Sequence, residues 1–143
     1  MTSLPRRVSP LAKVDGSLSK VNLRLVGGTV DIISTSYFVT LRFSTNATVQ
    51  FESDFTIREP GCSEKVISMD GDRSELVPVL RLHNEVVDAA FIAEGTLHLS
   101  FSNGTTTEAR PDPELESWSY SGPESPETRV IALAGGELAI WLP

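Results

Sequence analysis

The chain has 143 residues, of which 40% are hydrophobic and 22% charged, with a formal net charge of −7 and one cysteine, Cys62. This is one domain's worth of chain with enough apolar material for its own core, and it excludes an internal disulfide framework and any membrane-spanning run of about 20 apolar residues. Arg6, Arg7, Lys13 and Lys20 face only Asp15 in residues 1–20, so the remainder is strongly acidic, which disfavours nucleic acid and steers a basic partner toward it while also serving solubility.

Residues 1–20 show neither a helical nor a strand period and are rich in Ser, Pro and Gly, the pattern of a flexible basic arm. Its prolines and cations leave no continuous apolar segment of a secretory signal, so a cytoplasmic protein is expected. Residues 21–143 form the expected single domain. Val21 to Val26 alternates before Gly27-Gly28, and Thr29 to Ser36 continues extended. Tyr37 to Ser44 places Val39, Leu41 and Phe43 on one face, Thr45-Asn46-Ala47 turns, and Thr48 to Phe51 returns. Phe55 and Ile57 extend the signal as far as Pro60-Gly61.

Asp70-Gly71-Asp72 opens the one persuasive helix. Asp72 and Glu75 have capping-box spacing, with Ser74 as the alternative cap, and Leu76, Val79, Leu80 and His83 share one side. Pro78 is compatible only with the first turn. Strands follow at Val86 to Ala93 and Thr96 to Ser102. Asn103-Gly104 predicts a type I′ hairpin turn, Thr105 to Arg110 returns, and Pro111-Asp112-Pro113 stops it. A short extended piece around Trp118 and Tyr120, the loop from Gly122 to Pro126, and a hairpin from Arg129 to Trp141 complete the chain.

One recipe occurs twice. Leu25 to Phe51 and Leu82 to Arg110 share a Leu, a Val-Asp (Val30-Asp31 and Val87-Asp88), and a Leu-x-Phe-Ser strand before an Asn-bearing turn. Convergent turn chemistry is the plain alternative, but the matched order favours an internal repeat over about 25–51 and 82–110. The expected fold is α+β and mainly β: an antiparallel sheet or incomplete barrel built of two hairpin units flanking a short helix, plus the C-terminal hairpin.

The densest polar constellation is Glu108, Asp112, Glu114 and Glu116 beside Trp118 and Tyr120. Spaced carboxylates near an aromatic can hold a cation, grip a basic partner, or act as an acid and a base in hydrolysis. Two prolines and no neighbouring histidine leave no visible means of tuning those carboxyls. The structural alternative is a solvated, Pro-stiffened connector with Trp118 as a core anchor. The functional reading is a partner-binding surface of Asp112, Glu114, Glu116, Trp118 and Tyr120.

The other candidates are weaker. Asp70 and Asp72 with Glu64 or Glu75 fail the calcium-loop template, which helix capping replaces. His83 and His98 are the only histidines, and with Cys62 they make too few soft ligands for zinc. Cys62 lies in a turn sequence without a cysteine-hydrolase context. Gly27-Gly28 and Gly135-Gly136 fit no phosphate-loop template. Asn46-Ala47-Thr48 and Asn103-Gly104-Thr105 match the glycosylation pattern, which turn chemistry explains.

The run from Asp70 through Leu80, the F-S-N-G-T hairpin, P-D-P-E-x-E-x-W (Pro111 to Trp118), Ser121-Gly122-Pro123 and the ending A-G-G-E-L-A-I-W together resemble a family of small, uncharacterised actinobacterial proteins of unknown function. The resemblance runs from about Leu25 onward and leaves the basic arm outside it. It departs at Thr45-Asn46-Ala47, where an acidic-Gly turn is usual. It implies a bacterial single-domain protein and transfers no activity, cofactor or site. The expected role is therefore a non-enzymatic protein-interaction module, immunity-like or regulatory, whose partner is another protein of basic character. A sheet edge offers a route to a homodimer. Neither nucleic acid nor membrane is expected, and no catalytic residue, cofactor or metal is assigned. The alternative is a small hydrolase or ligand-binding barrel using residues 108–120.

Overall fold

Apolar and polar residues alternate along the longer strands, so each buries one face. The computed structural model describes residues 6–8, 20–123 and 128–142. Its strands are β1 (Arg6–Val8), β2 (Lys20–Asn22), β3 (Val30–Thr35), β4 (Val39–Phe43), β5 (Thr48–Phe51), β6 (Phe55–Arg58), β7 (Lys65–Ile67), β8 (Val87–Ala93), β9 (Thr96–Phe101), β10 (Thr106–Ala109), β11 (Trp118–Ser121), β12 (Arg129–Ala132) and β13 (Leu138–Leu142). The expected arm falls largely outside the described residues, as do residues 124–126 of the loop after β11. Within that arm, Arg6–Val8 pairs antiparallel with β13.

The strands form two open antiparallel sheets, ordered β1-β13-β12-β11-β5-β4-β3 and β2-β8-β9-β10-β6-β7. Neither closes into a barrel. Their inner faces share one buried cluster, to which Leu41, Phe43 and Phe51 come from the first sheet and Ile57, Leu99 and Phe101 from the second. Each such side chain contributes on the order of 1.5–3 kcal/mol by leaving water.

The two similar stretches of sequence become two meanders, β3-β4-β5 and β8-β9-β10, in different sheets. Each chain segment then crosses over. β6, which follows the first meander, pairs with β10 of the second, and β11, which follows the second, pairs with β5 of the first. β7 and β12 extend β6 and β11 outward. Exchanging one meander with the other therefore maps the run β12-β11-β5-β4-β3 onto β7-β6-β10-β9-β8.

The backbone contacts obey the same exchange. Thr29 and Val86 bridge each other where the meanders begin. Around them, Gly27 N–H donates to the Val87 carbonyl and Asn84 N–H to that of Val30, both at 2.9 Å, while Val87 N–H reaches Gly28 at 2.9 Å and Val30 N–H reaches Glu85 at 3.0 Å. Gly27 and Asn84 are both left-handed, with φ of 88° and 70°. The register of β3 against β4 slips between Val30 and Ile32, and that of β8 against β9 slips between Val87 and Ala89. Asp31 and Asp88 are thus the extra residues of two equivalent β-bulges.

The hairpin turns correct one expectation. Gly104 has φ 93°, but Asn103 lacks the positive φ that a type I′ turn needs at both central residues. Gly104 N–H bonds to the Phe101 carbonyl and Phe101 N–H to that of Thr105, both at 2.9 Å. This is a three-residue loop with a left-handed last position. Asn46, φ 72°, holds that position in the first hairpin, where the same two bonds link Phe43, Asn46 and Ala47.

The helix is shorter than its spacing predicts: a 3-10 turn over Arg73–Leu76 and one α-helical turn, α1 (Val77–Leu80). Asp72 is the cap, its Oδ1 accepting from the Ser74 amide at 2.9 Å, and Pro78 occupies the first turn. Leu82 and His83 bond to carbonyls three residues back. This tighter winding shifts the phase, burying Val79 and Leu82 while Leu80 and His83 are exposed. The Arg81 guanidinium, 2.9 and 3.1 Å from the two Glu59 oxygens, ties the segment to the end of β6.

Candidate functional site

Of the five residues singled out in the sequence, Asp112, Glu114 and Glu116 lie in the connection from β10 to β11 and Trp118 and Tyr120 in β11 itself, and the structure divides them accordingly. Between Pro111 and Pro113, Asp112 turns its Oδ1 back to accept from the amides of Glu114 at 2.8 Å and Leu115 at 3.0 Å. Its carbonyl accepts from Gly135 at 2.8 Å. That stiff turn leaves Glu114, Leu115 and Glu116 exposed. Trp118 and Tyr120 alternate with Ser119 and Ser121 along β11, and alternation puts both aromatics in the core. The Trp118 indole donates to the Gly95 carbonyl at 3.1 Å. The carboxylates and the aromatics therefore do not share a surface.

The acidic turn lines a cleft instead. A cavity of about 330 Å³ is bounded by Glu52 and Asp54 after β5, Met69 and Asp70 after β7, and Asp112 and Leu115, with Arg110 as the one cation in its lining. Asp54 Oδ1 accepts from the Met69 amide at 3.0 Å, and Gln50 Nε2 donates to Glu52 at 3.1 Å. Ser117, whose carbonyl accepts from Glu52 and Ser53, keeps a buried hydroxyl with no partner among the described residues. Sequence reasoning found Asp112, weighed Asp70 only with Asp72, Glu64 and Glu75, and missed Glu52 and Asp54, because distant connections bring these groups together and no local spacing announces it.

Met69 also borders a second cavity, of about 420 Å³, lined by Tyr37 and Phe38 from the β3–β4 connection and by Arg73 and Leu76. Asp72, on the same stretch, has its carboxyl held below the usual aspartate range by the Ser74 amide and, secondarily, by the Ser74 hydroxyl. Met69 is common to both linings, so the two cavities adjoin, and together they are termed the trough, the first cavity its acidic end and the second its aromatic end.

The trough lies where the two meanders cease to match. In the second, the β8–β9 turn is the two-residue Glu94-Gly95, and Gly95 sits so close to Gly136 that an added Cβ would stand 3.0 Å from its carbonyl oxygen. The buried Trp118 indole is hydrogen-bonded to the same turn. In the first, the connection is Ser36-Tyr37-Phe38, and Phe55, stacked on Phe51 at 4.0 Å, stands in β6 where Trp118 stands in β11.

A second cluster lies on the outer face of the second sheet. Phe91 and His98 stack at 4.7 Å, Lys20 Nζ lies 4.6 Å from the Phe91 centroid, and His98 Nδ1 is 3.6 Å from Glu108 Oε1. Thr40 and Gln50 hold the corresponding positions in the first sheet, where the Thr40 hydroxyl donates to Gln50 at 3.3 Å. Both are cross-strand pairs on a half-exposed face, adequate as sheet stabilisation. Among the described residues no group of three or more His, Cys, Asp or Glu side chains is arranged to hold a metal. Cys62 is exposed in the turn after β6.

A family model described as a family of unknown function, DUF6188, matches residues 21–142. The chain belongs to this family. No curated protein and no solved structure matches it. The DUF6188 match spans both meanders, the helix and the strands that cross between the sheets, and the trough residues from Tyr37 to Leu115 all lie inside it. No helix among the described residues is long and apolar enough to cross a membrane.

Proposed function

We propose that the protein is a non-enzymatic interaction module that takes a basic segment of another protein on its acidic loop end. One observation carries this reading: Glu52, Asp54, Asp70 and Asp112 line one cleft with a single cation, Arg110, among them, and exposed Leu115 stands at its edge. Four carboxylates on an acidic protein raise the local concentration of a cationic partner and fix its register. Glu114 and Glu116 extend the same charge outward from the Pro-bounded turn. A regulatory subunit or an immunity-like neutraliser of a basic toxin would both use such a surface. The cytoplasmic placement expected from the sequence belongs to this proposal. So does an origin of the fold by duplication of a five-strand unit, for which the exchanged strands and the paired hydrogen bonds around Thr29 and Val86 are the support.

Calorimetric titration with a Lys/Arg-rich peptide tests the surface. Binding is expected to weaken steeply with salt and to drop at least about tenfold, roughly 1.4 kcal/mol, in the combined variant Asp54→Asn, Asp70→Asn, Asp112→Asn. Asn keeps the acceptor oxygens that hold the Met69, Glu114 and Leu115 amides while removing the charge. Equal affinity of wild type and variant overturns the proposal.

A further inference from the structure

We infer that the aromatic end of the trough receives a bulky apolar side chain of the same partner segment, so that the recognised ligand is a peptide in which an apolar residue stands beside basic ones. This rests on the proposed binding of a basic segment and specifies what else that segment carries.

The first support is exposure without a folding reason. Tyr37 is 89% and Phe38 40% exposed, in a connection that the second meander makes with Glu94-Gly95 alone. Closing the meander does not require the aromatics. Aromatic side chains that bring large, rigid contact area at low entropic cost are what binding hot spots use. The second support is continuity. Met69 borders both cavities, so a ligand residue at the aromatic end and its neighbour at the acidic end belong to one short segment.

The third support is polarity. Arg73 lines the aromatic end, whereas Glu52, Asp54, Asp70 and Asp112 line the other. A basic side chain is repelled from Arg73 and attracted by the carboxylates, so the trough sorts the ligand's residues by type.

The test is fluorescence anisotropy with three labelled synthetic peptides: one basic and otherwise Ser, one with a central Leu-Phe beside the same basic residues, and one with Leu-Phe and no basic residue. The mixed peptide is expected to bind wild type about tenfold more tightly than the basic one, the size of one well-placed anchor. Tyr37→Ser and Phe38→Ser are each expected to erase that advantage while leaving the basic peptide's affinity unchanged. Both positions are on the surface, and unchanged unfolding midpoints verify that the variants fold. Equal affinity of the mixed and basic peptides for wild type, with the basic peptide still sensitive to Asp54→Asn, Asp70→Asn, Asp112→Asn, overturns this inference and spares the acidic surface. Failure of all three peptides to bind overturns both. Co-sedimentation with neutral phosphatidylcholine vesicles that is lost in Tyr37→Ser also overturns it, by assigning the aromatics to a lipid surface.

Discussion

Trp118 reaches from β11 to the β8–β9 turn, where its indole Nε1 donates to the Gly95 carbonyl 3.1 Å away in the buried interior. The single tryptophan of the acidic segment thereby ties β11 to the β8–β9 turn. Trp118→Phe removes the donor, orphans a buried carbonyl and leaves a gap. A loss of about 2–4 kcal/mol in stability is expected from urea unfolding. Peptide binding by the folded fraction should be unchanged, since the side chain does not reach the trough.

Thr107 in β10 occupies the position that Val49 occupies in β5, each paired on the inner face with an apolar residue of the exchanged strand, Ile57 and Tyr120 respectively. Both are buried, but the Thr107 hydroxyl has no hydrogen-bond partner among the described residues. Burying an unpaired hydroxyl costs about 1–3 kcal/mol, so Thr107→Val should stabilise by about 1 kcal/mol or more. Val49→Thr should destabilise by a similar amount. Denaturation midpoints measured on the pair decide it: a destabilised Thr107→Val would show that the hydroxyl is satisfied.

How much of this was legible in the sequence follows from the range of each interaction. The strands of both meanders, the two Val-Asp pairs and the positions of the two hairpin turns are local patterns, and they are where the sequence places them. The separation of the meanders into two sheets is not local, because β6 and β11 alternate equally well whichever sheet they join. β7 has only Val66 and Ile67 for an apolar signal and shows no period at all. The acidic segment shows both limits. Its carboxylates were legible, and Glu114 and Glu116 are exposed with Asp112 half-buried, but their nearness to Trp118 in sequence says nothing of nearness in space, because strand alternation sends that side chain into the core. The rest of the trough comes from connections far apart in the chain.

The two hairpin turns make a controlled pair. Asn46 and Gly104 hold the same left-handed position, at φ 72° and 93°. Replacing Gly104 by Ala imposes left-handed strain of about 1–2 kcal/mol, whereas Asn46 already carries a Cβ there and as Ala loses only what its short polar side chain offsets. At Gly104 the new Cβ would also stand 2.9 Å from Pro60 Cγ. Gly104→Ala should therefore cost more than Asn46→Ala, and thermal unfolding of both variants measures the difference. A Gly104→Ala loss no larger than the left-handed strain alone, about 1–2 kcal/mol, would mean that Pro60 gives way freely.

Asp72 links the candidate site to pH. Its carboxyl is held below the ordinary aspartate range first by the Ser74 amide and then by the Ser74 hydroxyl. A carboxyl depressed in the folded state contributes stability that is fully present above its unfolded pKa, about 3.9 for aspartate, and is lost as pH falls through the folded value. The 3-10 turn that presents Arg73 and Leu76 to the trough should thus loosen only in strong acid and be unaffected at neutral pH. In a carboxyl NMR titration, Asp72 should titrate below the unfolded aspartate value, and Ser74→Ala should move its midpoint part of the way back, since the amide bond remains. Asp72→Ala should be less stable than wild type at neutral pH, with the gap narrowing toward the acid limit; a gap that stays constant across the titration would separate the cap from the carboxylate's charge.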